Sequence, residues 1–330
     1  MKNRSDKKGA AKIAVVLFLV VLAALVAAAG YLYTAPEFER EVPTVHGAQN
    51  VFWNRKDPLK IRLTDNAGLK SFQLILSDGK NTLIVGEGTF EGRPKEQTLL
   101  VNYPQSKTLD IKANRLKLKV IATDSSLWNF AQGNKSEKVV DITVDFKRPN
   151  VNILANSYSI TQGGSALVVF QAEDENLDTL YVEAGETKFK AQPYKKEGYY
   201  AALIAWPFTN EDFQAKVVAI DAAKNQRAAD IPFYIKNHVY KVSYIQAKDE
   251  FIDGKITDLA SSDPDYAHIE GRLEKLKAIN ETMRLKNEDL IHTLSKNVSS
   301  EMLTSWKIEK FYPLRNGQKV ASYGDERHYY

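Results

Sequence analysis

The chain has 330 residues, of which 44% are hydrophobic and 26% are charged, and it contains no cysteine. This composition is typical of a globular protein of two or three domains, and it excludes disulfides and thiolate metal sites. Residues 1–12 hold five basic residues and one acidic residue, which accounts for the whole net charge of +4. The remainder is neutral and shows no basic patch, so a nucleic-acid partner is not expected.

The first predicted element is a membrane anchor. Residues 13–33 form an uncharged apolar run, which as a helix is long enough to cross a hydrocarbon core of about 30 Å. The basic tail of residues 1–12 precedes it, so the positive-inside bias predicts a cytoplasmic N-terminus and an exported bulk. The alternative is a cleaved signal peptide with small residues at 27–29, although the run exceeds the usual signal core. Residues 34–44, with two prolines, are predicted to be a linker.

Residues 45–148 and 149–237 are predicted to be two β modules. Apolar and polar residues alternate in several short runs, which gives each strand one buried and one solvated face. The apolar positions of the first module are Leu59, Ile61, Leu63, Phe72, Leu74, Leu76, Leu116, Leu118, Val120, Val140, Ile142, Val144 and Phe146. Asp78-Gly79 lies between two such runs and predicts a hairpin turn.

The pattern of the first module recurs in the second. Residues 59–76 are echoed by 167–184, and residues 118–132 by 215–229, each with a strand, an Asp-containing turn and another strand. Two modules of about a hundred residues with several short strands fit immunoglobulin-like sandwiches. The predicted fold class is therefore mainly β with an N-terminal transmembrane helix, two immunoglobulin-like modules and a helical connector.

Turn aspartates are the candidate ligands in these modules. Asp221 and Asn225 match the Asp-x-x-x-Asn turn of bacterial immunoglobulin-like domains, and Asp124 and Asn129 are one residue further apart. These side chains could bind calcium, or they could close turns on their own backbone. Calcium takes about six or more oxygens, and the sequence shows no dense acidic cluster. Turn closure is therefore favoured, and no metal ligand is assigned.

Residues 238–307 are predicted to be a helical connector. Apolar residues recur at helical spacings over 263–297, and Ser262-Asp263-Pro264 predicts the start of the helix. The stripe could pair with a second copy as a short coiled coil, or pack on this chain's own next domain. Asparagines at adjacent stripe positions favour packing on the next domain. The stripe consists of Ile269, Leu273, Leu276, Met283, Leu290 and Leu294, with Asn280 and Asn287 in its gaps.

The sequence contains none of the common catalytic motifs. The five histidines are widely spaced, and the chain has no His-Glu-x-x-His, His-x-His or His-x-x-x-Asp sequence. Residues 86–92 lack the glycine spacing of a dinucleotide site and follow a strand without opening a helix. No Gly-x-Ser-x-Gly elbow is present. No catalytic, cofactor-binding or metal-binding residue is therefore predicted within the 330 residues.

The last segment reads as the first hairpin of a further β domain. An aromatic-Pro-Leu opening is followed by an Asn-Gly turn, a short alternation and an aromatic-Gly-x-x-Arg turn. Together with the Asn-Glu…Arg…Asn pattern of the connector, this segment resembles the start of the LytM/lysostaphin-like zinc metallopeptidase domain of envelope-anchored proteins. The matching residues are Asn280, Glu281, Arg284, Asn287, Trp306, Phe311, Pro313, Leu314, Tyr323, Gly324, Arg327, Tyr329 and Tyr330.

The resemblance implies a membrane-tethered murein endopeptidase that hydrolyses peptide cross-links of peptidoglycan. In that family zinc is held by a His-x-x-x-Asp motif and by a later His of a His-x-His motif, which this chain lacks. Residues 308–330 are then the truncated start of the peptidase domain, and zinc is expected only in the intact parent, whose first ligand would follow shortly after Tyr330. The 330 residues alone should be catalytically silent.

The resemblance also implies a place and partners. It implies a bacterial inner membrane protein that crosses once through residues 13–33, with its bulk in the periplasm. Peptidoglycan is the expected partner, and a regulatory protein could act at the helical connector. The second hypothesis is a non-catalytic envelope protein, either a scaffold or adhesion stalk or a murein-binding regulator.

Overall fold

The computed structural model describes residues 5–105, 113–305, 317 and 323–330, with side chains from Lys12 onward. The described chain separates into two compact units. The first unit contains residues 1–147 and 222–225, and the second contains residues 148–221 and 226–330. The basic side chains predicted at residues 1–11 and the hairpin predicted at 311–322 lie outside the described side chains, apart from Gly317.

The N-terminal apolar run is helical. Helix α1 covers Ser5–Thr34, and its segment Lys12–Thr34, which contains the apolar run, is exposed throughout. The helix is long and apolar enough to cross a membrane, as a membrane anchor or a signal sequence. A 3₁₀ turn at Pro36–Phe38 follows directly.

The first module is a sandwich of two sheets. One sheet has the order β1-β3-β6 and the other the order β2-β8-β7-β4-β5. Its core is formed by the alternating positions of the strands, with Leu63, Leu76 and Leu118 fully buried. The strands are β1 (Thr44–His46), β2 (Asn50–Trp53), β3 (Leu59–Thr64), β4 (Leu69–Ser77), β5 (Thr82–Thr89), β6 (Glu96–Val101), β7 (Arg115–Asp124) and β8 (Lys135–Val144), with a helical turn α2 (Trp128–Ala131) between β7 and β8.

Of two local predictions for this module, one is confirmed and one is wrong. The hairpin at Asp78-Gly79 is present, and it extends over residues 78–81, because the Asp78 carboxylate accepts the backbone N–H of Lys80 and Asn81. The prediction that Phe146 faces the core was wrong. Strand β8 ends at Val144, and Phe146 is 63% exposed because the chain has left the sheet before reaching it.

The second module repeats this plan. Its sheets have the orders β14-β15-β11-β9 and β13-β12-β16-β17. Strands β11, β12 and β16 occupy the places of β3, β4 and β7, so the internal repeat is one of strand order as well as of sequence. The strands are β9 (Asn150–Asn156), β10 (Ser159–Thr161), β11 (Ser165–Glu173), β12 (Leu177–Ala184), β13 (Thr187–Lys190), β14 (Gln192–Pro193), β15 (Tyr199–Ala205), β16 (Ala215–Asp221), β17 (Gln226–Asp230), β18 (Tyr234–Lys236), β19 (Val242–Ile245) and β20 (Glu326–Tyr329).

Both modules are therefore immunoglobulin-like sandwiches, and the chain is mainly β with an N-terminal apolar helix, which confirms these parts of the predicted fold class. Two small parallel pairs, β10 with β18 and β19 with β20, supplement the second module. Whether residues 308–330 begin a peptidase domain stays a prediction.

The helical connector differs from the prediction in its bounds. Helices occur before residue 263 as well as after it, and Ser262 ends a helix where the sequence predicted a start. Asp263 is extended (φ −117°, ψ 120°) because the residue before a proline is disfavoured in the α region. The helices are α3 (Asp249–Phe251), α4 (Thr257–Ser262), α5 (Arg272–Lys277) and α6 (Arg284–Ser295), with π-helical turns at Ile252–Ile256 and Ala278–Met283.

Candidate functional site

Three carboxylates converge at one end of the first module. Glu39 comes from the segment after α1, Asp65 from the turn after β3 and Asp124 from the end of β7. One carboxylate oxygen from each lies within 4.8 Å of the other two. The sequence did not predict this cluster, because Glu39 lies in the predicted linker and the three residues are far apart in the chain.

Asp124 anchors the cluster. It is fully buried, and its Oδ1 accepts the backbone N–H of Ser126 at 3.0 Å and of Asn134 at 2.7 Å. Its Oδ2 accepts the Asn134 side-chain amide at 2.8 Å. Asp124 thus closes a turn on its own backbone, as favoured from the sequence. Its side-chain amide partner is Asn134, while the side chain of Asn129, noted in the sequence for its spacing from Asp124, is exposed.

Burial perturbs the other two carboxylates. The pKa of Asp65 is raised first by desolvation and then by the negative charge of Asp124. Desolvation likewise raises the pKa of Glu39, with a further contribution from Asp124. The Asn134 amide also donates to the Glu39 carboxylate at 3.1 Å and to its backbone carbonyl at 3.0 Å, so Asn134 ties the segment after α1 to the turn after β7.

This cluster could take up a proton or a hard cation, because three oxygen ligands of like charge lie close together. Asp124 accepts three hydrogen bonds, so its burial requires no bound ion. In addition, three carboxylates supply fewer than the roughly six to eight oxygen ligands that calcium takes. We assign no ion to it. The second predicted pair, Asp221 and Asn225, is also buried, at the end of β16 and just before β17.

The described residues do not fit zinc. His46 lies 2.6 Å from the Thr64 hydroxyl, His238 packs edge-on against Tyr240, and His328 stacks on Tyr244. Within residues 12–105, 113–305 and 323–330, no group of three potential metal ligands contains a histidine. The structure therefore brings no zinc-binding set together in the part of the chain that it describes.

The connector forms a second candidate region. Its helices bury a small core that contains Ile252, Ile256, Leu276 and Ile279, with Ile269 and Met283 packed against it. Half of the predicted stripe therefore packs inside this chain, on the helices before residue 263. The rest lies open, since Leu290 is 55% and Leu294 71% exposed on α6.

The connector residues that carry the sequence resemblance described above lie at and after a π-helical turn. Asn280 and Glu281 are within Ala278–Met283, and Arg284 opens α6. The Nδ2 atom of Asn280 is buried and has no hydrogen-bond partner among the described residues. Turns of this type are frequent at functional sites, and a buried amide without a partner lowers stability.

The structure explains why residue 324 is a glycine. It adopts φ +79°, and a Cβ there would lie 2.2 Å from Cε1 of Tyr240. The Tyr240 hydroxyl donates to the Gln162 carbonyl at 2.7 Å, and Phe208 packs against both Tyr240 and Tyr323. Of the other family-like residues, Trp306, Phe311, Pro313 and Leu314 lie outside the described residues.

The segment after α6 runs along the edge of the second module. Leu303 forms a parallel bridge with Tyr194, and its backbone exchanges hydrogen bonds with Pro193 and Lys195 at 2.9 and 2.7 Å. The Gln192 side chain donates to the carbonyl of Glu301 at 3.1 Å. The chain leaving the connector is thus fastened to strand β14.

No protein-family model matches the sequence, and no curated protein matches it significantly. Solved structures with immunoglobulin domains do match. The titin domains Z1Z2 in complex with telethonin are 12% identical with a TM-score of 0.22, over 61% of this chain and all of that one. Dpr2 Ig1-Ig2 in complex with DIP-Theta Ig1-Ig3 is 14% identical with a TM-score of 0.29, over 60% of this chain and all of that one.

A three-domain fragment of titin, I67–I69, is 10% identical with a TM-score of 0.27, over 62% of this chain and 71% of that one. At these values the likeness says nothing of what the present chain binds or does.

Proposed function

We propose that this chain is the anchor, stalk and connector of a membrane-tethered peptidoglycan endopeptidase, whose zinc-binding residues follow residue 330. The observation that carries the proposal is the family-like sequence of residues 280–287 and 323–330. It occurs in a chain that begins with an apolar helix and continues as two immunoglobulin-like modules.

The described contacts suit that role. The segment after α1 is hydrogen-bonded to the first module through Asn134, so the anchor does not end in a free linker. At the other end, Leu303 is fastened to the second module, and β20 pairs with β19. The segment before the proposed peptidase domain is therefore fastened to the stalk, and residues 326–329 of that domain pair with strand β19 of the connector.

In this proposal the anchor crosses the bacterial inner membrane, with the N-terminus in the cytoplasm and the modules in the periplasm. The open face of α6 would contact the peptidase domain or a regulatory protein. Zinc in the intact parent would activate the attacking water and polarise the scissile carbonyl. None of the residues described here takes part in that step.

The test is digestion of purified peptidoglycan by the product of the complete gene in detergent. Release of uncross-linked muropeptides, abolished by a chelator and restored by zinc, would support the proposal. Unchanged cross-linking with folded, zinc-loaded protein would overturn it. The double variant Leu290→Ser and Leu294→Ser should alter the rate, because it changes the open face of α6 without touching the connector core.

A non-catalytic envelope scaffold or murein-binding regulator is the second candidate. The contacts of the described histidines fit it as well as they fit the first candidate, which places its zinc ligands outside these residues. Co-sedimentation separates the two functions: binding of the complete gene product to intact peptidoglycan without any cleavage would favour the second.

A further inference from the structure

We propose that the loop between β7 and β8 is a second membrane contact, which inserts its aromatic tip into the headgroup region beside α1. The loop tip is the sequence Leu-Trp-Asn-Phe-Ala at residues 127–131. The inference rests on the anchor role of α1 proposed above, and it adds a lipid-binding surface on the first module.

The loop exposes apolar side chains to an unusual degree. Phe130 is 96% exposed, and Leu127 and Trp128 are 41% and 37% exposed. Residues 125–134 contain no charged side chain. A soluble loop tip has no need of such a cluster, whereas aromatic side chains are enriched where protein meets the membrane interface.

The loop is held in a costly backbone conformation. Asn129, Phe130 and Ala131 have φ values of 54°, 57° and 62°, in the left-handed region that residues with a Cβ avoid. Backbone strain of this kind persists where surrounding contacts enforce it and is concentrated at functional sites. Here the Ser126 hydroxyl accepts the Trp128 N–H at 3.0 Å, and the Ala131 N–H donates to the Leu127 carbonyl at 3.0 Å.

The loop lies beside the last turn of α1. The guanidinium carbon of Arg40 is 4.8 Å from the ring centroid of Tyr33 and 4.1 Å from that of Trp128, so one cation stacks on both rings. The Leu127 N–H donates to the Glu37 carbonyl at 2.6 Å. Phe38 also packs edge-on against Tyr31, which fixes the 3₁₀ turn to the helix.

These contacts place the loop at the depth where α1 leaves the bilayer. Tyr31 and Tyr33 end the apolar helix and are 60% and 73% exposed, as in an interfacial aromatic belt. Two cations border the tip: Arg40, and Lys70, whose ammonium donates to the Ala131 carbonyl at 3.1 Å.

Acidic residues lie near the tip as well. The Glu37 carbonyl accepts the Leu127 N–H, and Glu39, Asp65 and Asp124 cluster at this end of the module. The uncharged aromatic tip, rather than net charge, therefore suits the lipid interface.

The function of this contact would be orientation. A single helix leaves a domain free to tilt at the membrane surface, whereas a second contact on the same module restricts its tilt. The first module would then stand in a defined direction on the bilayer.

The 330 residues contain no cysteine, which permits a direct test by site-specific labelling of this chain. Phe130→Cys is labelled with an environment-sensitive fluorophore and reconstituted in vesicles of phosphatidylethanolamine and phosphatidylglycerol, with or without a lipid that carries a quencher near its headgroup. The matched control is Lys80→Cys, at the opposite end of strand β4. Both positions are exposed, so neither label disturbs the core.

We expect the label at residue 130 to shift to the blue and to lose most of its emission to the quenching lipid, while the label at residue 80 does neither. A blue shift without lipid quenching would mean that protein covers the tip, and would overturn the proposal. Equal, water-like emission at both positions would overturn it as well. Flotation of the Lys80→Cys variant with the vesicles reports anchoring separately, so failure of the anchor is distinguishable from failure of the loop.

Discussion

The side-chain amide of Asn134 donates to Oδ2 of the fully buried Asp124 at 2.8 Å, and the same amide reaches Glu39 in the segment after α1. One side chain thus closes the turn between β7 and β8 and secures the start of the stalk. Nothing in the sequence indicated Asn134, since only the spacing of Asp124 and Asn129 approached the turn motif.

Asn134→Ala should lower the free energy of unfolding of the first module by roughly 2–3 kcal/mol, because it leaves a buried carboxylate short of a donor. Thermal unfolding of the full chain in nanodiscs measures this as a lower midpoint for that module. Asn129→Gly is the control, since glycine tolerates the left-handed backbone and only the exposed amide is lost. Equal effects of the two substitutions would contradict this account of the turn.

Asp65→Asn should raise the stability of the first module at neutral pH when divalent cations are chelated. The pKa of Asp65 is raised in the folded state, so its stabilising contribution is complete below the unfolded value near 3.8 and is lost as the pH rises through the folded value. The gain on removing the charge should be about 1 kcal/mol at neutral pH and should disappear in acid.

The measurement is the unfolding midpoint of both proteins between neutral pH and pH values below the unfolded pKa. Glu96→Gln is the control of opposite sign, because the Arg62 hydrogen bond lowers the pKa of Glu96. A neutral-pH midpoint that falls in Asp65→Asn would contradict this account, because it would mean that weaker bonds to the backbone N–H of Ala67 and Gly68 outweigh the relief of desolvation and repulsion.

Asn280→Leu should stabilise the connector by about 1 kcal/mol, because it removes a buried amide nitrogen that has no partner among the described residues. Hydrogen exchange of the connector amides should become slower. Asn287→Leu, at an exposed position of α6, should leave exchange unchanged. Faster exchange in Asn280→Leu would mean that the amide makes a stabilising contact.

Gly324→Ala should release β20 from β19. The new Cβ would overlap the Tyr240 ring at a left-handed position, so the strand could remain only by displacing that ring. Amide exchange of Val242–Ile245 should accelerate several-fold. Gly254→Ala, where a Cβ would meet no atom within 4 Å, is the matched substitution; similar exchange in both variants would rule out the overlap.

The sequence predicted those elements whose pattern reflects a single buried face. Strand β7 is an example, because Leu116, Leu118 and Val120 alternate and all point into the core. Helix α4, which ends at Ser262, was not predicted. Its few apolar residues form only half of a small core, and the other half comes from residues 266–283, so they are too few to show a helical period in the sequence. Pro264 ends one helix here, whereas its position in the sequence also suits the start of another.

The carboxylate cluster was beyond sequence reasoning for a different reason. Glu39 reaches it from a segment that appeared to be a linker, and Asn134 reaches it across a loop with three left-handed residues. Neither contact produces a periodic pattern or a local motif in the sequence. The exposure of Phe130 was not predicted, because the sequence of residues 127–131 does not show which way an aromatic side chain in a turn points.

The central claim, that this chain carries a zinc peptidase on a membrane-anchored stalk, is tested most directly by the intact mass of the native membrane protein together with the gene sequence past codon 330. We predict a mass well above 37.2 kDa, retention of residues 13–33, and a reading frame that continues through His-x-x-x-Asp and His-x-His motifs. A native protein whose sequence contains neither motif would contradict the claim, and the modules and connector would then be the functional parts.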